Sequence, residues 1–483
     1  MTRFGLGARP GEIGRVSHDP RGWLTAQIRP SGAPNPEGEA PDTATRMQQL
    51  LAYEGQPRPS RARPAAAPDG AMAPAEPEAP SADAQAMLDA RRRQRRALVD
   101  QTGEEFLARA DLAATTPDGF AERWALFWAN ALSVSSTNFR AATFIGQYER
   151  EAIRPHVFGR FEDMLVAAES HPAMLLYLDQ VRSTGPDSPA GARRGGGLNE
   201  NLAREILELH TVGADGGFTQ ADVTELARAL TGWSIPLTAN AERRLQGRRG
   251  RGPAEAASVA APPATGGFQF RPAMHQPGAR TIMGRTYAEG GFEQGEAILR
   301  DLAGRPETGR RLARRLAVHF VSDDPPPTLV DRLERAWSSS DGDLAAVARA
   351  LVAAPEAWEP RPAKVKTPYE FMVSAHRALD TRPTRLRVLR LGLIQMGQPL
   401  FQPPSPEGWP DTAADWAGPD AMVKRLDWAT EVGGAAGGRE PEALAEGALG
   451  GRLSDRTRQF IARAESRAEG VALFLMSPEF QRR

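Results

Sequence analysis

An all-α, multi-helix globular fold is predicted for this chain by three observations. Apolar residues recur at helical spacing, cap and breaker residues bracket those segments, and only two short stretches alternate as strands do. Val223, Leu226, Ala227 and Leu230 fall at i, i+3, i+4 and i+7, the buried stripe of a helix that begins near Thr219. Met372, Ala375, His376 and Leu379 repeat the pattern, which puts His376 on a buried stripe as a packed neutral histidine or, less simply, a ligand. Ahead of it, Thr367, Pro368 and Glu370 stand as cap, first-turn proline and an acid that reaches back to the cap amide.

In chain order, residues 1–55 carry glycine and proline around short amphipathic pieces such as GWLTAQI and RMQQLLAYEG, a segment expected to pack on the main domain. Residues 56–84 turn to proline, alanine and scattered charge, too poor in apolar surface to offset the cost of ordering, and read as a disordered insertion. The main helical domain follows over 85–483. It opens with the basic run Arg91 to Arg96, a solvated helix face rather than a nucleic-acid patch because no aromatic interleaves with it. Glycine- and proline-rich loops are expected at 183–197, 244–267 and 401–419. Near 268–284 the segments FQFRP and TIMG alternate and are expected to pair as a minor β-hairpin around MHQPGAR.

Composition narrows the function. The chain has 483 residues, 60 basic and 60 acidic, so no net field gathers nucleic acid or an anionic membrane, and none is expected as a partner. Cysteine is absent, which excludes thiol catalysis, thiolate metal sites and disulfides. No window of 18 uninterrupted apolar residues suggests a membrane span, and the opening MTRFGLGARPGE lacks the apolar stretch of a signal peptide, so the expected location is cytoplasmic. No nucleophile elbow, phosphate loop or dinucleotide fingerprint occurs, and no cofactor is expected.

The densest polar cluster is LNENLAREILELHTVG, read as a single helix capped by Asn199 and ended by Gly213. At about 100° per residue, Asn201, Arg204, Glu205 and Glu208 share one arc, opposite a seam of Leu202, Ile206 and Leu209. Two readings stand. The paired carboxylates hold a cation or raise one another's pKa for acid–base work, or Arg204 neutralises them. On this geometry His210 points well away from Glu205 and Glu208. The other histidine candidates, His156, His171 and His275, form no local metal spacing, so no metal is assigned; His275 is the one expected to be exposed.

The string of motifs resembles a bacterial family of unknown function, numbered 1800 among such families. It runs through RFGLGARPGE, FWANALSVS, IRPHVFGRFEDML, HPAMLLYLD, GLNENLAREILELHTVG, MHQPGARTIMG, LAVHFVSDDPP, KTPYEFMVSAHRAL, GQPLFQPPSPEGWP and the closing SPEFQRR. The resemblance covers nearly the whole chain. It implies a partner, since members are commonly encoded beside a sulfatase-like family, and with it an alternative location, the periplasm, reached by export with that partner. Two departures stand out: Ala129 and Ala131 flank Asn130 where the family carries histidines, and Gln276 follows His275 where it often carries aspartate. Asn130 joins the candidate polar site on this ground.

The sequence therefore supports a helical scaffold or binding protein that assists a partner enzyme or an envelope-associated process. The alternative is a metal-assisted hydrolase that uses Glu205 and Glu208 with histidines from other segments.

Overall fold

The computed structural model describes residues 1–38, 40–56, 81–194, 197–239, 266–360, 362–436 and 438–483. Most of the expected insertion over 56–84 and of the loop over 244–267, with its basic stretch Gly247 to Gly252, lies outside the described residues. Helices dominate, as the periodicity requires, and the strands form two small two-stranded sheets among the described residues. No described helix is long and apolar enough to cross a membrane.

The longer helices, numbered in chain order, begin with α1 (Thr43–Gly55), capped by the Asp42 carboxylate on the Thr45 amide, and α2 (Ala82–Thr115), capped by Ser81. The basic run lies on α2 and is spent locally. Arg91 stacks on Tyr53 with its carbon Cζ 4.2 Å from the ring centre, Arg95 on Phe139 at 4.6 Å, and Arg92 and Arg96 pair with Asp89 and Asp100. Next come α3 (Gly119–Ala131) and α4 (Phe161–Glu169). In α3, Phe120, Trp124, Phe127 and Trp128 are all buried, and the Trp124 indole donates to the Val157 carbonyl at 2.7 Å. Then follow α5 (Asn201–Glu205) and α6 (Gln220–Ala229), the latter opened by the capping box of Thr219 and Asp222 with its predicted stripe buried.

The β element corrects the expected pairing. Strand β1 (Trp233–Ser234) pairs with β2 (Gln269–Phe270), while β3 (Arg280–Ile282) pairs with β4 (Arg285–Tyr287). FQFRP and TIMG thus do not pair with each other. Pro272 starts a 3₁₀ turn and Pro277 lacks an amide donor, so the stretch between them cannot ladder. The true hairpin turns on Met283 and Gly284, with φ of 48° and 80°, as a tight two-residue turn between right-twisted strands demands.

Beyond it lie α7 (Phe292–Gly304), α8 (Pro306–Phe320), α9 (Pro327–Ser339), α10 (Leu344–Ala353), α11 (Pro368–Ala378), α12 (Leu386–Gln395), α13 (Pro419–Ala435), α14 (Pro441–Leu449), α15 (Asp455–Ala462) and α16 (Arg467–Met476). The capping box predicted at Thr367 and Glu370 opens α11. Two apolar cores result. The larger gathers α3, α4 and α6–α10, and the smaller gathers Leu6 with α11–α16. Helix α2 spans both, giving Leu98 to the first and Phe106, Ala110 and Ala113 to the second.

Candidate functional site

The helix predicted from Leu198 to Gly213 starts later and has a broken interior: its N-cap is Glu200, without a side-chain cap bond, rather than Asn199. Asn199 accepts the Asn201 amide at 2.9 Å, and Gly213, at φ 90°, closes the turn. Between them, α5 gives way to a π-helix over Ile206–His210, and the Thr211 amide bonds five residues back to Ile206 at 2.8 Å. The wider turn breaks the constant angular advance on which the expected arcs depend. His210 is driven into the core, where Nδ1 sits 2.8 Å from Glu169 Oε1 with both side chains fully buried. Arg204 contacts Glu208 at 3.2 Å and Glu200 at 3.6 Å, so it neutralises the exposed face, while Asn201 remains in solvent. Arg204, Glu205 and Glu208 are all half-buried, and desolvation pushes the Glu205 pKa up. Among the described residues no three His, Asp or Glu side chains converge so as to hold a metal ion.

The remaining histidines are dispersed. His171 is buried, caps the helix that follows by accepting the Ala173 amide at 3.1 Å, and faces the Thr43 hydroxyl at 3.1 Å, so the neutral ring carries its proton on Nε2. His275 is not exposed as expected: it is 8 % accessible, its Nδ1 meets the Thr231 carbonyl at 2.8 Å, and Phe270 packs on its ring. Gln276 is locked to Asp187, accepting its amide at 2.9 Å and donating to its carboxylate at 2.7 Å. His156 is half-buried and its pKa is pushed down by burial.

A different place offers a site. At the seam of the two cores lies a cleft, partly open to solvent, walled by Phe106, Tyr148, Tyr369, Leu393, Phe401 and Trp409 among others. Asn130 is the one candidate that reaches it. Its side chain grips the Trp409 backbone from both sides, accepting the amide at 2.7 Å and donating to the carbonyl at 2.9 Å. The neighbouring Gly408 has φ 97°, and a β-carbon there would stand 2.4 Å from the Asn130 carbonyl oxygen, so only glycine permits this approach. Ala129 lines the cleft, whereas Ala131 is buried in the larger core. Ala129 and Ala131 therefore fall on different sides of α3.

Charged groups converge on this cleft from four segments. His319 Nδ1 lies 2.7 Å from Asp411 Oδ1, and His319 Nε2 lies 3.5 Å from Arg123 Nη2. Arg123 pairs with Glu370 at 2.9 Å, and Glu370 with Arg483 at 2.8 Å. Burial pushes the His319 pKa down to about 4, so at neutral pH the imidazole donates from Nδ1 to Asp411 and offers Nε2 to the guanidinium. Burial opposes ionisation of Glu370, but Arg483 and Arg123 hold it at about 2. Asp411 is likewise held well below the usual carboxylate range, by His319 and the Arg315 and Arg483 guanidiniums against the cost of its burial. Burial brings Arg123 down to about 9. The Tyr369 hydroxyl is buried against the cleft with no hydrogen-bond partner.

Sequence reasoning missed Arg123, His319, Tyr369, Glu370 and Asp411 as site residues. A usable signal was the polar pair Arg123 and Asn130 spaced i, i+7 around Phe127 in a helix whose other polar side chain is Glu122.

The buried histidines make the protein acid-labile. His171, His319 and His376 are held by burial at about 3, 4 and 4, against an ordinary value of 6.5. Between these limits the unfolded chain binds protons that the folded chain refuses, so stability is lost as pH falls from 6.5 towards 4. Each site contributes up to about 1.4 kcal/mol per pH unit. Urea midpoints should fall steeply between pH 6.5 and 5; a flat profile across that window contradicts neutral burial.

No curated protein and no solved structure matches the sequence. A family described as "Protein of unknown function (DUF1800)" matches residues 1–482, and the chain, with the motifs that line its cleft, belongs to that family.

Proposed function

We propose that the protein is a helical binding protein whose ligand site is the cleft between its two cores. One observation carries this reading: a cleft walled largely by aromatic and aliphatic side chains, partly open to solvent, into which a few buried polar groups converge. A chamber of that kind suits a ligand with an apolar body and a small number of hydrogen-bonding groups, the latter met by the Tyr369 hydroxyl and the Arg123–His319 pair. The binding role also fits Ala129, which leaves room where the family carries an imidazole. In this reading the sulfatase-like partner implied by the resemblance is the enzyme served, and joint export with it sets the compartment.

The test is to fill the space. Native mass spectrometry of the protein after incubation with a bacterial small-molecule extract should show a bound species on the wild type and on Arg92→Gln, which alters only the exposed face of α2. Ala129→Trp, with unchanged circular dichroism, should lose it. The same species retained by Ala129→Trp would place the ligand elsewhere.

A further inference from the structure

Two half-buried arginines on α8 lack a carboxylate partner. Arg310 pairs with Glu334 at 2.7 Å, but Arg311 and Arg315, one helical turn apart, have no carboxylate within 4.0 Å among the described residues. Each has its Nη1 sealed from solvent with no hydrogen-bond partner. Among the described residues Arg311 makes no hydrogen bond, and Arg315 only a long one of 3.4 Å, from Nη2 to the Glu407 carbonyl. A sealed donor left without an acceptor is unfavourable, more so on a charged group, so the pair calls for something that accepts from it.

The surroundings hold the two guanidiniums in place. Arg311 lies across the end of the π-helix: a β-carbon on Gly213 would stand 2.7 Å from its Cδ and 3.2 Å from its Nε, so glycine at that turn makes room for the arginine. Burial, then the like charge of Arg315, bring Arg311 down to about 10, with Glu407 opposing. Asp411, the other acid acting on Arg315, is already committed to His319.

We propose that Arg311 and Arg315 form a binding site for a tetrahedral oxyanion, a phosphate or sulfate ion. Such an ion accepts from both forks at once and relieves their mutual repulsion. The site lies on α8 beside the cleft and does not depend on the reading of the cleft.

Isothermal titration with sodium phosphate, sodium sulfate and sodium acetate, each against sodium chloride at equal ionic strength, tests it. Phosphate and sulfate should bind the wild type. Arg311→Gln and Arg315→Gln should each weaken that binding about tenfold or more, from the loss of one charge-assisted contact. Arg314→Gln, an exposed cation on the same turn, should change it by less than about twofold, as befits a solvated charge. Circular dichroism checks that the variants fold, and the wild-type titration stands even where they do not. Absence of binding over chloride in the wild type, equal binding of acetate, or an equal loss in Arg314→Gln would each overturn the proposal.

Discussion

Replacement of Glu370 by alanine is expected to remove about 3–5 kcal/mol of stability, the cost of leaving buried cations without their counter-charge. Glu370 is the shared partner of Arg123 and Arg483, both of which are 1 % accessible. Without it two guanidiniums face each other in the core. The same carboxylate accepts the Thr367 amide at 2.9 Å and completes the capping box of α11, a contribution of about 1 kcal/mol. Glu370→Gln should fall between, because the amide oxygen keeps the cap while the charge is lost. Urea unfolding of the two variants separates these parts, and a loss under about 1 kcal/mol in Glu370→Ala would mean that the network is hydrated rather than sealed.

The second large effect is expected at Glu122, which holds Arg154 through two parallel bonds of 2.7 and 2.9 Å with both side chains at most 2 % accessible. Burial opposes the charge on Arg154, but Glu122 keeps it ionised and raises its pKa above the ordinary value. Glu122→Ala should cost about 3–5 kcal/mol, while Glu122→Leu with Arg154→Met should cost clearly less, since a buried pair replaced by apolar groups loses its desolvation penalty as well as its attraction. Arg154 also donates to the Pro34 carbonyl at 2.7 Å, so the N-terminal segment should loosen with it, readable as faster amide exchange near residue 34. Simple additivity of the single and double variants would contradict the coupling.

What was legible in the sequence was local. The stripe at 223–230, that at 372–379 except for His376, which is only half-buried, the boxes at Thr219 and Thr367 and the turn at Gly213 depend on neighbours within a turn, and the structure has them. What was not legible depends on distant partners. The π-turn at 206–210 accompanies the burial of His210 against Glu169 at the end of α4. His275 sits in a segment whose prolines and glycine suggest exposure, yet the Thr231 carbonyl and Phe270 enclose it. The cleft draws Phe106, Asn130, His319, Tyr369 and Asp411 from across some three hundred residues, and no spacing rule joins them. Asn130 came within reach only through the family resemblance.

The most direct measurement is titration of the folded protein with 8-anilinonaphthalene-1-sulfonate, a dye with an apolar ring system and one anionic group. The account predicts saturable binding, lost in Ala129→Trp and retained in Val388→Glu, which alters the exposed apolar stripe of α12. Binding unchanged by Ala129→Trp and abolished by Val388→Glu would show that the seam between the cores is closed and that the dye reads only the surface.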